Sequence, residues 1–409
     1  MQRVLLLLST VFALYACTGT VPHKPEEEKP APAEAIQQPV DQLLGGEAVP
    51  ETAPPAAEEA KAPVEQLPPV LPEGEPFPHI ALLLPVQSPD FGTAASAVQQ
   101  GFMAAINPKK LLMPVRVYSN FDENTNVVSV YRQAIANGAV AVVGPLTRNG
   151  VSALAAQTDI PVPTLALNIV DATPAPRLFF FGMAVESEAR RAAQLAGQQG
   201  IHQAIIITIH SQLSQRLQAA FEEEWGASPD RGILREVEYV GDPMVFSDIG
   251  DTTDTMIFLA ADAAKARLIR PYLPNKVPIY ATSQIFVGND KSLTNYDLNG
   301  IRFVDMPWLL QPDHPAVMIY PRADPPLSID NERLYALGID AYRLIQVLMS
   351  DKVTSALPLD GVSGRLRLNG HVFQREAIPA QFIDGQARLV DAPYAPTSQM
   401  FPDRPVIKQ

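Results

Sequence analysis

The sequence predicts an α/β protein with two doubly wound parallel-sheet lobes, a hinge and a central cleft, preceded by a disordered linker. Short runs such as AVAVV at residues 139–143 are apolar without alternation, which is typical of strands buried on both faces of a parallel sheet. Such runs are followed by a break and then by a segment with apolar residues at helical spacing. The alternation of strand and helix begins near residue 78 and restarts near residue 186, so we expect two sheets.

The first stretch of alternating strands and helices predicts one lobe and indicates which edge of its sheet could bind a ligand. Val98, Phe102 and Ile106 recur at helical spacing, and Gly138 ends the next helix. Because ligands bind beyond the carboxyl ends of the strands in open α/β sheets, the loops after these strands are the place to look for a site. The expected strands are 78–85, 114–118, 139–143, 163–167 and 178–181, and the expected helices are 94–107, 126–137 and 149–157.

The second run predicts another lobe with a core of its own. A strand at 301–304 and a long helix at 331–349 are expected to return to lobe one, and Asn369-Gly370 and Asp384-Gly385 predict hairpin turns between short strands near the end. We therefore expect lobe one at about 78–183 and 284–357, lobe two at about 184–283 and 358–395, and a loose tail at 396–409. The other expected elements are helices 186–199, 212–225 and 262–272 and strands 204–209, 233–240, 255–260, 278–282, 365–368, 372–375, 381–383 and 387–390.

The N-terminus predicts an exported, lipid-anchored chain. Residues 1–16 have one positive charge at Arg3 and then an apolar run too short to span a membrane, which is the pattern of a secretory signal peptide. Cys17 follows at once and is the only cysteine, as in a bacterial lipoprotein signal, so we expect it to carry the lipids. Residues 17–77 are rich in Pro, Glu and Ala and predict a disordered tether between the lipid anchor and the folded lobes.

Several long motifs give this chain a family resemblance. From about residue 78 to 390 it resembles the type I periplasmic binding protein fold and, more narrowly, the C-terminal domain of the LpoA family of penicillin-binding protein activator lipoproteins. The stretch from Leu298 to Gln311 is the most specific match. The matching stretches are IALLLPV (80–86), GFMAAI (101–106), VGPLT (143–147), LALNI (165–169), IFLAAD (257–262), PIYATSQI (278–285), LNGIRFVDMPWLLQ (298–311), LYALGIDAYRLI (334–345) and GVSGRLRLN (361–369).

The resemblance implies a function without catalysis. It implies a lipoprotein of the outer membrane, facing the periplasm, that binds a class A penicillin-binding protein, a bifunctional peptidoglycan synthase, and stimulates transpeptidation. Members of that family also carry a large N-terminal helical repeat domain, and here the Pro-rich segment stands in that place. The alternative is a lipid-anchored solute-binding protein for an amino acid or a peptidoglycan fragment, and it stays open whether the cleft holds a small ligand.

Composition and motifs argue against most other classes of function. The net charge of −13 without a basic patch speaks against nucleic acid as a partner. The six histidines show no H-E-x-x-H spacing, so we expect no metal, and the chain has neither a G-x-S-x-G nucleophile elbow nor a Walker loop. We therefore expect no catalytic residues and no cofactor.

The candidate ligand residues lie in the loops that follow predicted strands. Thr147 can contribute a hydroxyl beside a helix N-terminus, and Arg148 can pair with an anion. Asp90 is the best partner available for an ammonium group. The full candidate set for the cleft is Gln87, Ser88, Asp90, Thr147, Arg148, Asn168, His210 and Ser283.

Trp308 is the candidate for a partner contact. It follows Met306-Pro307 at the end of a predicted strand, and tryptophan is enriched at the energetic centres of protein interfaces. The other interpretation is a tryptophan that packs over the edge of its own lobe.

Overall fold

The computed structural model describes residues 76–106, 113–119, 125–350 and 356–390, which all belong to one compact unit of the chain. The expected signal peptide, Cys17, the tether apart from its last two residues, and the tail at 396–409 lie outside the described residues. Within the described ranges, no helix is long and apolar enough to cross a membrane.

The described elements alternate along the chain much as the sequence predicts. The strands are β1 (His79–Leu83), β2 (Val115–Tyr118), β3 (Ala139–Val143), β4 (Thr164–Ala166), β5 (Leu178–Phe181), β6 (Gln203–Ile209), β7 (Gly232–Tyr239), β8 (Thr255–Ala260), β9 (Ile279–Ala281), β10 (Arg302–Asp305), β11 (Leu359–Asp360), β12 (Arg365–Asn369), β13 (Val372–Glu376), β14 (Ile378–Ile383) and β15 (Gln386–Leu389). The helices are α1 (Gly92–Ala104), α2 (Val127–Ala136), α3 (Arg148–Ala155), α4 (Val185–Gln198), α5 (Gln212–Trp225), α6 (Ala263–Ile269), α7 (Ser292–Asn295), α8 (Pro307–Leu310), α9 (Pro315–Met318) and α10 (Ile329–Met349).

The strands form two sheets, one for each lobe. Sheet one has the order β11-β12-β13-β5-β4-β3-β1-β2, and sheet two has the order β15-β14-β10-β9-β8-β6-β7. Pairing is parallel through the centre of both sheets and antiparallel at one edge of each, where β11 to β13 and β14 to β15 lie. This architecture confirms the predicted fold class.

Both sheets are covered by helices on their two faces, which explains the continuous apolar runs. In β1, Ile80 and Leu82 pack toward α1 and α10, whereas Ala81 and Leu83 pack toward α2 and α3. Sheet two repeats this arrangement, because alternate residues of β6 and β8 pack toward α6 on one face and toward α4 and α5 on the other. A strand that buries both faces needs apolar residues at every position.

Helices α1 and α10 cross at two glycines. A Cβ atom on Gly101 would lie 1.8 Å from the carbonyl oxygen of Tyr335, and one on Gly338 would lie 2.1 Å from that of Val98. No side chain fits at such distances, so the two backbones touch directly. This contact holds α10 on lobe one.

The structure differs from the expected division of the chain between the lobes. β10 pairs in parallel with β9 (Arg302 opposite Tyr280) and so lies in sheet two, although we expected this segment in lobe one. β13 pairs in parallel with β5 (Val372 opposite Phe180), so β11 to β13 lie in sheet one rather than in lobe two. Short apolar strands carry no local signal of which sheet they join, because the choice depends on pairing between distant segments.

The chain therefore crosses between the lobes at places that the sequence only partly predicts. The first crossing, between β5 and α4, lies near Gly182 as expected. The second follows β10 near residue 306, and the third lies at residue 377 between β13 and β14, whereas we expected them near Ser283 and Leu357. The first and third crossings contribute Gly182 and Glu376 to the wall of the cavity described next.

Candidate functional site

A cavity of about 920 Å³ lies between the two lobes. Lobe one contributes the segments that follow β3, β4 and β5 and residues of β12 and β13, and lobe two contributes α4 and α5. The carboxyl ends of parallel strands in lobe one thus meet the cavity, as expected for an open α/β sheet. Its volume lies within the range of small-molecule sites.

Arg148 and Asn168 are the two sequence-predicted candidates that line this cavity. Arg148 is the exposed first residue of α3. Asn168 lies after β4, where its Nδ2 donates to the Leu146 carbonyl oxygen (3.2 Å) and its Oδ1 accepts from the Ile169 N–H (3.0 Å). Asn168 therefore fixes the loops after β3 and β4 and is less available to a ligand than Arg148.

Thr147 lies just outside the cavity and caps α3. Its Oγ1 accepts a hydrogen bond from the backbone N–H of Gly150 (3.2 Å), and the side chain is mostly buried. Threonine is a favoured N-cap residue because its oxygen satisfies one of the free N–H groups of the first turn. The oxygen thus has a structural role, and Thr147 is not among the described residues that line the cavity.

The loop after β1 places its three candidates away from the cavity wall. Ser88 accepts a hydrogen bond from the Phe91 N–H (3.2 Å), and Gln87 and Asp90 are exposed. None of the three belongs to the described residues that line the cavity. The hydrogen bond from the Phe91 N–H to Ser88 closes the loop locally.

The two lobe-two candidates are also separate from the cavity. His210 is exposed at the end of β6, with Nδ1 3.1 Å from Oε1 of Glu238. Ser283 is buried, and its backbone N–H donates to Glu188 Oε2 (3.0 Å) while its carbonyl oxygen accepts from Arg333 Nη2 (3.0 Å). The structure corrects the expectation for Ser283, because it lies inside the packed junction of the lobes.

Arginines dominate the cavity, and sequence reasoning found only Arg148 among them. Seven of the described residues that line it are arginines, in a chain whose overall charge is strongly negative. A sequence signal existed in β12, where Arg365 and Arg367 alternate with Leu366 and Leu368, because alternation places both arginines on one face of the strand. The seven arginines are Arg148, Arg190, Arg191, Arg216, Arg365, Arg367 and Arg375.

Two buried ion pairs connect the lobes beside the cavity. Glu188 of α4 accepts from Arg375 of β13 (Oε1 to Nη2, 2.6 Å), and Asp305 at the end of β10 accepts from Arg333 of α10 (Oδ2 to Nη2, 2.7 Å). Ser283 lies between them and hydrogen bonds to both Glu188 and Arg333. Breaking a buried pair by removing one partner destabilises proteins by about 3–5 kcal/mol, so this junction resists separation of the lobes.

Burial and charge act against each other in the Asp305–Arg333 pair. Complete burial raises the pKa of the Asp305 carboxyl above its ordinary value, against the effect of Arg333. Burial alone lowers the pKa of the Arg333 guanidinium, but the Asp305 carboxylate outweighs it and the pKa lies above its ordinary value. Asp305 also accepts from the Met306 N–H (2.8 Å), so the ionised carboxylate has several donors.

The junction continues into the wider core of lobe one. Arg375 Nη1 donates to the carbonyl oxygen of Ser363 (3.2 Å), and the Ser363 hydroxyl donates to Asp340 of α10 (2.6 Å). Asp340 also accepts from the backbone N–H groups of Val362 and Ser363 (3.1 and 2.8 Å). A buried carboxylate that accepts several hydrogen bonds is stable only if the loop that donates them stays in place.

Trp308 is fully buried, which agrees with the interpretation of a tryptophan packed within its own lobe rather than with a partner contact. Its Nε1 donates to Glu332 Oε2 (2.6 Å), the Arg322 guanidinium lies 3.7 Å from the ring centroid, and Tyr335 packs against it at 5.4 Å between centroids. Burial, with Glu332 nearby, raises the pKa of Tyr335 to about 12. Trp308 thus anchors the segment after β10 onto α10.

The described residues show no cluster of metal-binding side chains. In the ranges that the structure describes, no group of three or more His, Cys, Asp or Glu side chains is arranged to hold a metal ion. The chemistry available in the cavity is that of guanidinium groups, which bind carboxylates and phosphates with paired hydrogen bonds.

Comparison with curated proteins identifies several relatives that are named penicillin-binding protein activator LpoA. The chain is 25% identical over 338 residues to the penicillin-binding protein activator LpoA of Photobacterium profundum, covering 73% of this chain and 54% of the relative. It is 28% identical over 323 residues to LpoA of Haemophilus influenzae, covering 75% and 54%. The chain thus spans about half the length of these relatives.

Comparison with solved structures identifies proteins that share the two-lobed α/β fold of this chain. A protein of Chromobacterium violaceum, described as a "putative branched-chain amino acid ABC transporter", is 37% identical, with a TM-score of 0.64 and coverage of 75% of this chain and 100% of that one. The LpoA C-domain of H. influenzae, described as a regulator of PBP1A, gives a TM-score of 0.65 at 24% identity, with coverage of 76% and 100%.

A family profile matches most of the chain. The profile described as "LppC putative lipoprotein" matches residues 53–249 and 246–385. Together with the relatives above, it confirms the resemblance inferred from the sequence motifs. The chain belongs to the LppC lipoprotein family, which includes these LpoA relatives.

Proposed function

We propose that this chain is a non-enzymatic activator that binds a class A penicillin-binding protein and stimulates transpeptidation, so that it regulates peptidoglycan synthesis. The observation that carries the proposal is membership of a family whose curated relatives are named as penicillin-binding protein activators, and the LpoA C-domain of H. influenzae, described as a regulator of PBP1A, shares the fold. The curated relatives reported above are named as penicillin-binding protein activators and support the same function.

The junction between the lobes is consistent with a head that docks as a single body. Solute-binding proteins of this architecture work by closing a hinge around a ligand. Here the Glu188–Arg375 and Asp305–Arg333 pairs join the lobes in the interior, and a change that separated either pair would leave charges buried without partners. A protein whose task is to present a fixed surface to an enzyme has no need for such a change.

The proposal includes a location. Cys17 would carry the lipid anchor, residues 17–77 would serve as the tether, and the protein would face the periplasm from the outer membrane. The lipoprotein description of the family supports the anchor. Labelling cells with a radioactive fatty acid tests it directly, because Cys17→Ser would abolish the label, and membrane fractionation then tests whether the labelled protein sediments with the outer membrane.

The activator function is tested with the lipid-free full chain and a purified class A penicillin-binding protein from the same organism. We expect cross-linking of glycan chains made from lipid II to rise and saturate with added protein, with binding over the same range. Gly338→Val is the matched control, because its side chain would collide with the backbone of α1 and disrupt lobe one. Full stimulation by this variant, or none by the wild type, would contradict the proposal.

A second candidate is a solute-binding protein, which the 37% identical C. violaceum protein favours. The cavity argues against an aliphatic amino acid as its ligand, because its walls carry seven arginines where a branched side chain needs apolar surface. Titration with leucine, isoleucine and valine decides between the two. Saturable binding of any of them, without stimulation of the synthase, would favour the second candidate.

A further inference from the structure

The charges in the cleft do not balance. The seven arginines meet five carboxylates, of which three line the cavity and two pair with arginines from beside it, which leaves two positive charges over. The carboxylates are Glu186, Glu224 and Glu376 on the wall and Glu188 and Glu223 beside it. In a chain with a net charge of −13, this surplus is concentrated at one concave place.

Five of the arginines have partners that explain their positions. The pairs are Arg190–Glu223 (2.6 Å), Arg216–Glu186 (2.6 Å), Arg191–Glu376 (3.2 Å), Arg367–Glu376 (3.6 Å) and Arg375–Glu188 (2.6 Å). Glu376 therefore serves two arginines at once. The remaining wall carboxylate, Glu224, accepts a hydrogen bond from the amide of Gln194 (3.1 Å).

Arg148 and Arg365 are the two remaining arginines of the cavity wall. Among the residues that the structure describes, no carboxylate forms an ion pair with either of them. Arg148 is exposed at the start of α3, and Arg365 is partly buried, with an Nε atom that is inaccessible and has no hydrogen-bond partner among the described residues. Arg191 and Arg375 on the same wall have an Nε atom of the same kind, so the missing ion pair is what distinguishes Arg365 from them.

The two arginines approach the cavity from different elements. Arg148 lies beyond β3, at the carboxyl edge of sheet one, whereas Arg365 lies on β12 directly opposite Glu376 of β13. Residues opposite each other in an antiparallel pair share a face, so Arg365, Arg367 and Glu376 share one face of this hairpin. The Arg191–Glu376 ion pair joins that face to α4, so the wall is held in position before any ligand arrives.

We propose that the cleft binds a compact dianion, a ligand with two negative charges such as a dicarboxylate or a phosphate monoester, and that Arg148 and Arg365 supply the two guanidinium groups that contact it. A ligand with two negative charges neutralises the two surplus positive charges. Its oxygens accept hydrogen bonds from guanidinium N–H groups of Arg148 and Arg365. The cavity of about 920 Å³ has room for a small molecule between its two walls, which favours such a ligand over a folded partner segment. The inference does not depend on the proposed activator function.

Calorimetric titration of the lipid-free full chain tests this inference with glutarate and inorganic phosphate as probes. We expect saturable binding of at least one probe, weaker at physiological than at low ionic strength, and no binding of glutaramide, the neutral analogue of glutarate. Binding of glutarate alone would indicate a carboxylate ligand and binding of phosphate alone a phosphorylated one, and both results support the proposal. Equal binding of glutaramide would overturn it.

Arg148→Gln and Arg365→Gln assign the binding to the two arginines. Each is expected to weaken binding about tenfold or more, because a hydrogen bond to a charged group is lost. Arg132→Gln is the matched control, since Arg132 is exposed on α2 and bonds to Gln157, away from the cleft. Unchanged affinity in both cleft variants would overturn the proposal.

The melting temperature separates a binding role from a structural one. Without a ligand, we expect both cleft variants to melt at or above the temperature of the wild type, because each removes one of several like charges. With the bound probe, we expect the wild type to gain stability and the variants to lose that gain.

Hexaglutamate, an acidic peptide, is a further probe in the titration. If it binds and neither glutarate nor phosphate does, the result overturns the proposal in favour of an acidic protein segment.

Discussion

The arginines of the lobe junction and those of the cleft have opposite surroundings, although Arg375 belongs to both regions. Arg333 and Arg375 are almost completely buried, and each bonds to a carboxylate that is equally buried. Arg148 and Arg365 face a cavity and have no carboxylate partner among the described residues. The contrast teaches that a buried, paired arginine maintains the fold, whereas an unpaired one on a concave wall is available to a ligand.

Removing a junction arginine should have the largest effect. Arg333→Met leaves Asp305 buried without its partner, so we expect a loss of about 3–5 kcal/mol in the free energy of unfolding. Urea denaturation measures it. Arg190→Met is the matched control, because the Arg190–Glu223 pair is exposed and should contribute no more than about 1 kcal/mol. Similar losses in the two variants would end the distinction between buried and exposed pairs.

The tryptophan beside the junction should have an intermediate effect. Trp308→Phe keeps most of the buried ring but leaves Glu332 without the indole N–H and weakens the stacking with Arg322, so we expect a loss of about 1–3 kcal/mol. Thermal and urea unfolding measure it, and stimulation of the synthase should persist at a temperature where the variant is folded. A folded variant that no longer stimulates would restore Trp308 as a partner contact.

The buried histidine His79 should make the stability of the fold depend on pH. Burial lowers the pKa of His79, whose Nδ1–H donates to the Phe77 carbonyl oxygen (2.8 Å) while Nε2 accepts from the Tyr118 hydroxyl (3.1 Å). The unfolded chain then takes up a proton below about pH 6.5 that the folded chain resists, so His79 contributes stability above that pH that is lost as the pH falls through its folded pKa.

The measurement is the free energy of unfolding between pH 8 and 5, a range chosen to span about 1.5 units on either side of the ordinary histidine pKa. His79→Gln should flatten the decline, because glutamine can make both hydrogen bonds without titrating. Arg132→Gln is the control, since Arg132 is exposed, lies on α2 and does not titrate in this range, so this variant should leave the decline as in the wild type. A decline of equal slope in the His79 variant would contradict the assignment.

The cleft arginines should have the smallest effect on stability. Arg148→Gln and Arg365→Gln are each expected to change the free energy of unfolding by no more than about 0.5 kcal/mol, because neither has an ion pair to lose within the described residues. Urea denaturation without added glutarate or phosphate measures this change in the free energy of unfolding. A loss of several kcal/mol would place these residues with the junction and not with the cleft.

Local signals predicted several elements to the residue. β3, β5 and β8 and helix α5 begin and end where the sequence predicts them, because apolar runs and helical periodicity are properties of short windows. The short helices α8 and α9 were not predicted, since four residues are too few to show a period. Of the candidate site residues, only Arg148 and Asn168 line the cavity.

The sequence by itself determined the fold class, the order of most elements and the family, since these follow from periodicity, breaks and motifs that lie close together in the chain. Only the tertiary structure decided that β10 joins sheet two, that β11 to β13 join sheet one, and that Arg333 meets Asp305 while Arg365 meets no carboxylate among the described residues. The physical reason is that strand partners and charge partners are chosen across long separations in sequence. Similar apolar strands, and identical arginines, carry no local mark of the partner that packing assigns to them.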